Sequence, residues 1–150
     1  MDGLRYSRDC ATGEDIADHL RICSDQFAPT LESRVNIEEY SEKIRNFANT
    51  FEAWFEQKLV GLVAAYQNTK SNQAFVTSVS TTPRYAGNGI GFILMAEMIE
   101  FYRSSSIFII ELEVNSRADQ AISLYRKSGF QNSQPDIDGT MRMTLMIETL

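Results

Sequence analysis

The sequence predicts a mixed α/β (α+β) fold: one mostly antiparallel sheet of seven strands flanked by about four helices. Three observations carry this. Apolar residues alternate with period two in several short stretches and recur at helical spacing in longer ones. Two of the strand-like stretches follow each other almost at once, as in a tight hairpin. Near the middle, a strand, a helix and a nearly continuous apolar strand succeed one another, which is the pattern of a parallel crossover. The order reads β-α-α-β-β-β-α-β-α-β-β. No repeat, low-complexity run or linker divides the chain, so residues 1–150 form a single domain.

Leu4 to Ser7 alternates as a short first strand. Thr12-Gly-Glu-Asp15 has capping-box spacing, and Ile16, Leu20, Cys23 and Phe27 follow on one helical stripe. Pro29 breaks the chain. Asn36 then caps a second helix, with Glu38 and Glu39 in its first turn and Ile37, Tyr40, Ile44 and Phe47 as its buried stripe. Thr50 to Gln57 and Leu59 to Gln67 form the hairpin, and Ala74 to Thr81 is a β-branched strand. A buried helix spans Gly89 to Tyr102, and Ile107 to Val114 is the parallel strand. Ser116-Arg-Ala-Asp119 repeats the capping-box pattern and opens a helix to Ser128, stopped by Gly129. Phe130 begins a short strand, and Met141 to Ile147 makes the last. That alternating, Met-rich last strand is suited to pairing with another subunit, so a homodimer is an expected arrangement.

Composition removes several function classes. Fourteen basic against twenty acidic residues give a net charge of −6, with no basic stripe of the kind nucleic acid selects. No window approaches the ~20 apolar residues of a membrane span. The N-terminal segment has no apolar h-region, so no signal peptide is expected and a cytoplasmic setting is. Cys10 and Cys23 make no disulfide framework. With His19 the only histidine, a zinc site or a Ser-His-Asp triad is not expected; His19 itself reads as a surface residue. No metal is called for.

The informative stretch is Val79-Ser-Thr-Thr-Pro-Arg-Tyr-Ala-Gly-Asn-Gly-Ile-Gly91, running from strand into helix. Alternating glycines let main-chain N–H groups approach a ligand, and a helix start adds positive potential, so the turn suits a pyrophosphate. A P-loop would need a Lys after the glycines, and a dinucleotide turn would read GxGxxG near the first strand of a parallel sheet. Both patterns fail here.

Pro83-Arg-Tyr85 followed by Ala86-Gly-Asn-Gly89-Ile-Gly91 resembles the cofactor loop of the GNAT superfamily of acyl-CoA-dependent N-acetyltransferases. A second block, Leu112-Glu-Val114 through Leu124-Tyr125 to Gly129-Phe130, is similar to that family's other motif. The resemblance implies acetyl-CoA as co-substrate. Main-chain groups of Val79, Ser80 and Thr81 would take the pantetheine arm. Amides of Gly87, Asn88, Gly89, Ile90, Gly91 and Phe92 would hold the pyrophosphate. Two positions depart from the pattern: Ala86 where Gln or Arg usually starts the loop, and Ala118 where an Asn commonly touches the cofactor. Arg84 and Asn115 are the nearby polar residues.

The resemblance makes Tyr125 the general acid for the departing thiolate; from the residues alone it reads first as a core aromatic. Glu113 is a candidate base for the amine or an ordinary solvated or salt-bridged strand residue. The acceptor would be a primary amine of a small molecule or peptide, in a pocket walled by residues about 24 to 36, including Phe27, Leu31 and Arg34, with Trp54 nearby. The alternative is a non-catalytic acyl-CoA-binding or partner-binding module on the same scaffold.

Overall fold

The computed structural model describes residues 3–27 and 29–148. Its elements are β1 (Leu4–Arg8), α1 (Gly13–Cys23), α2 (Leu31–Arg34), α3 (Ile37–Phe47), β2 (Asn49–Phe55), β3 (Lys58–Asn68), β4 (Gln73–Thr81), α4 (Ile90–Arg103), β5 (Ile109–Asn115), α5 (Asp119–Lys127), β6 (Gln131–Ile137) and β7 (Thr140–Met146). The short α2, a single turn after Pro29, is the one α-helix among the described residues that the sequence pattern does not announce.

The seven strands form one sheet in the order β1-β2-β3-β4-β5-β7-β6. Only β4 and β5 run parallel, with α4 as their crossover. Helices α4 and α5 cover one face, where Met95, Met98, Tyr102 and Ile122 meet Phe51, Ala53 and Val63. Helices α1 and α3 cover the other face of β2 and β3, where Ile16, Leu20 and Ile44 meet Trp54, Leu62 and Ala64. Leu59 to Ala65 is therefore buried without interruption, although β3 is antiparallel to both neighbours. An antiparallel strand usually keeps one wet face; here helices occupy both.

The first two helix starts form as expected. Thr12 and Asp15 exchange hydrogen bonds of 3.1 and 3.0 Å in a capping box, and Asn36 Oδ1 accepts the Glu39 N–H at 3.0 Å. Ser116 does not cap α5. Its N–H is donated to Gly139 O at 2.8 Å, which ties it to the β6–β7 hairpin, and the helix starts three residues later with no side-chain cap. Phe47 is a second correction. It lies at the last position of α3, where the chain turns into β2, and is 73% exposed instead of buried. A third concerns the last strand. β7 lies between β5 and β6, so both its edges are paired and it offers none to another subunit. Among the described residues no helix is long and apolar enough to cross a membrane.

Candidate active site

The site begins where two neighbours part. β4 and β5 pair only over Gln73–Val76 and Ile109–Leu112, yet β4 continues to Thr81 and β5 to Asn115. The parting coincides with a β-bulge: Ala65 faces Val76 and Ala64 faces Ser78, leaving Thr77 as the extra residue. A bulge increases local twist and bends its strand away from the ladder. Tyr40 of α3 donates its hydroxyl to Thr77 O at 2.8 Å and so secures the bulged carbonyl. Beyond it Val79, Ser80 and Thr81 keep β3 but lose β5. The Thr82 N–H is donated to Val60 O at 2.8 Å, so by antiparallel alternation the main chain of Ser80 faces β3 while that of Val79 and Thr81 faces the gap. Gln26, just after α1, donates Nε2–H to Thr81 O at 2.8 Å from the gap's rim.

The glycine loop follows the end of β4 and leads into α4. Gly87 and Gly89 have φ of +82° and +76°, and a Cβ at either would meet open space. Their requirement is thus conformational, and the space beside them is free for a ligand. Gly91 differs: a Cβ there would come within 3.1 Å of Leu124, so its small size lets α4 and α5 approach. Gly89 caps the fourteen-residue α4 without a side chain, and the first intrahelical bond is Ile93 N–H to Gly89 O. The N–H groups from Gly87 to Phe92 have no acceptor among the described residues. Asn88 turns its side chain inward, donating to Tyr85 O at 3.0 Å, which leaves its main-chain N–H as its contribution. Ile90 is buried and anchors the turn, whereas Phe92 is exposed. Six free donors at a helix start fit a diphosphate.

Tyr125 follows Leu124 on α5 and is 7% exposed, its ring tilted against Phe130 at 6.2 Å. Burial pushes its phenol up to about 12, so it carries its proton at neutral pH. Its hydroxyl has no hydrogen-bond partner among the described residues.

Glu113 is exposed on β5 and directly opposite Arg142 of β7. Arg142 donates to Glu113 Oε1 at 2.8 Å and to Glu111 Oε2 at 3.1 Å. Asn115 ends β5 half-buried, with Oδ1 accepting the Arg117 N–H at 2.8 Å. Glu113 and Asn115 line a cavity of about 690 Å³ together with Pro29, Arg34, Arg117 and Asp138. Arg34 also lies over the Phe27 ring, 5.9 Å from its centre. Leu31 and Trp54, expected nearby, belong instead to the core under α1 and α3; the Trp54 indole N–H is donated to Ser7 Oγ at 2.7 Å.

A family model described as the acetyltransferase (GNAT) family matches residues 14–130. The chain belongs to that family. It is similar to the N-alpha-acetyltransferase RimI of Mycobacterium tuberculosis, 39% identical over 56 residues, which is 37% of this chain and 34% of that protein. The chain thus spans about a third of the length of that curated relative. Among solved structures, the ribosomal-protein-S18-alanine N-acetyltransferase of Escherichia coli superposes with a TM-score of 0.77 at 18% identity, over 98% of this chain and 96% of that one. The PaiA N-acetyltransferase of Thermoplasma acidophilum, in complex with coenzyme A, gives 0.75 at 18% identity, over 95% and 99%. These two likenesses show the GNAT fold, including the mixed seven-stranded sheet.

One residue in this GNAT chain overturns its expected place. His19 is buried, not a surface residue, with 1% exposure. Its Nδ1–H donates to Leu59 O at 3.1 Å, and its Nε2 accepts the Ser80 hydroxyl at 2.8 Å. A carbonyl can only accept, which assigns the tautomer. Cys23 Sγ lies 3.7 Å from Nε2. The sequence signal for it is in α1, where positions 16, 19, 20 and 23 share one helical face.

Burial lowers the His19 pKa to about 4 and raises the Cys23 thiol to about 11, so both are neutral at pH 7. Between about pH 4 and the usual 6.5 the unfolded chain binds a proton at His19 that the folded chain refuses. This contribution to stability is therefore complete above 6.5 and lost as pH falls, by about 3 kcal/mol at pH 4. Thermal melts from pH 7 to 4 should show it as a steeper loss in the parent than in His19→Gln; parallel curves would exclude it.

Proposed function

We propose that the protein transfers an acetyl group from acetyl-CoA to a primary amine of a small molecule or peptide, by direct attack in a ternary complex. The observation that carries this reading is the gap-facing strand edge of Val79 and Thr81, ending at six free N–H groups on the start of α4. An extended arm with amides along its length and a diphosphate at one end is complementary to both.

Bound acetyl-CoA supplies an activated thioester. The edge of β4 pairs with the pantetheine arm, and its main-chain N–H groups polarise the acetyl carbonyl. Gly87, Asn88, Gly89, Ile90, Gly91 and Phe92 hold the pyrophosphate through their amides, with Asn115 across the gap at the end of β5. The cavity beside Glu113, Arg34 and Asp138 admits the amine. The neutral nitrogen bonds to the acetyl carbon as the carbon–sulfur bond breaks. Tyr125 donates its phenolic proton to the departing sulfur, and the proton leaving nitrogen passes to Glu113 Oε2 or to cavity water, from which Tyr125 is reprotonated. The cytoplasmic setting belongs to the same proposal.

The test is thiol release from acetyl-CoA in the presence of aminosugars, amino acids, polyamines and peptides with free N-termini. Release above the amine-free rate with at least one class is expected. Acetyl-CoA binding without release across the panel would leave an acyl-CoA-binding module, and no binding at all would overturn the donor site.

A further inference from the structure

The stretch that would hold the acyl donor has a strand partner on one edge only, and its gap-facing edge is tied by the Gln26 side chain at Thr81 O. β3 engages Ser80, and β5 is absent from Val79 onward. A strand with a single partner is free to twist about it, and the bulge at Thr77 loosens it further. Something must fix how the groups of Val79 and Thr81 point into the gap.

The Ser80 side chain is the handle available from the face of the sheet, and His19 is what holds it. The imidazole reaches from α1 to two neighbouring strands at once, Leu59 O on β3 and Ser80 Oγ on β4. Ser80 is itself 6% exposed, so little water competes for its hydroxyl. The ring is rigid and its two nitrogens diverge, so the link transmits the position of α1 to the strand end without slack. Gln26 adds a second tie from the same helical layer, at the next residue along β4.

We propose that His19 is a positioning residue for the acyl donor: through Ser80 it sets the orientation of the gap-facing main-chain groups of Val79 and Thr81. This rests on reading the gap as the donor site and deepens that reading. His19 touches neither donor nor acceptor, so its effect falls on donor binding and thioester alignment and not on recognition of the amine. A purely structural histidine would change the melting temperature and leave donor affinity alone.

The decisive variant is Ser80→Ala, which removes the accepted hydroxyl with little change in packing. His19→Leu removes both hydrogen bonds, and His19→Gln keeps one donor and one acceptor. Coenzyme A affinity is read by titration calorimetry beside a thermal melt, and KM values are read with any active amine. Ser80→Ala and His19→Leu should each weaken coenzyme A binding roughly 5- to 10-fold, the range of one lost hydrogen bond. KM for acetyl-CoA should rise by the same factor, with the amine KM within about two-fold. The double variant should bind no worse than the weaker single one, and His19→Gln should recover most of the loss. Ser80→Ala binding coenzyme A within about two-fold of the parent would overturn the positioning role, whatever its melting temperature. A parent that binds no coenzyme A would remove the donor-site reading itself, a result plainly different from intact binding in Ser80→Ala.

Discussion

Tyr125→Phe is expected to lower kcat for acetyl transfer by roughly 10²-fold or more while leaving coenzyme A affinity within about two-fold. The ring is what packs: it is buried on α5 and lies against Phe130, and Phe retains both features. The hydroxyl makes no bond that the fold needs, so the substitution removes a proton donor and little else. Burial holds the phenol near 12, well above an ordinary thiol near 8.5 in water. A thiolate departing beside a buried phenol, as the proposed mechanism has it, would be desolvated too, which raises its own proton affinity and narrows that difference. Under the proposed mechanism help from Tyr125 is needed as sulfur charge develops and not before, so kcat should respond and ground-state binding should not. Steady-state rates and a calorimetric titration on the same preparations decide it. A kcat within about three-fold of the parent would return Tyr125 to the role of a core aromatic.

Features that depend on near neighbours in the chain were legible in the sequence; those that depend on distant ones were not. The Thr12–Asp15 box, the Asn36 cap and the positive-φ glycines at 87 and 89 are local, and each forms where its pattern predicts. The Ser116–Asp119 box has the same spacing as the first, yet fails because Gly139 O, on a hairpin far along the chain, takes the Ser116 N–H. The parting of β4 and β5 coincides with one extra residue at Thr77, after which the facing of the side chains shifts by one, and nothing local in the sequence marks it. The cavity beside β5 joins Arg34, Glu113, Arg117 and Asp138 from three separate segments, and no spacing rule relates them. Leu31 and Trp54 looked like pocket walls because aromatic and apolar residues suit both a ligand and a core; which they serve is set by α1 and α3 closing over β2. Chain order likewise names seven strands without saying that the last inserts between the fifth and sixth.

The largest effect on stability should come from Glu52→Ala, a residue the strand alternation places opposite Phe51 and Ala53 without a reason for a charge there. Glu52 is fully buried, and no basic side chain pairs with it among the described residues. Donors surround it instead. Thr50 and Ser7 hydroxyls reach it at 2.6 and 2.7 Å, and the main-chain N–H groups of Ala11 and Cys10 at 2.9 and 3.1 Å. Behind Ser7, the Trp54 indole N–H continues the network at 2.7 Å. One carboxylate thus joins β1, β2 and the loop that delivers the chain to the Thr12 cap of α1. Alanine would leave the buried Ala11 N–H and the part-buried Cys10 N–H without their acceptor and free two hydroxyls as well. Buried donors cost about 1–3 kcal/mol each when orphaned, so a loss on the order of 4 kcal/mol is expected, or roughly 10 °C in Tm for a chain of this length. Glu52→Gln, which keeps the volume but turns an amide N–H toward donors, should fall between parent and alanine. Because Glu52 lies two strands from β4, coenzyme A affinity at a temperature where the variant is folded should match the parent's. A drop of less than about 2 °C would mean that water replaces the carboxylate at no cost, and that the loop before α1 is held by packing alone.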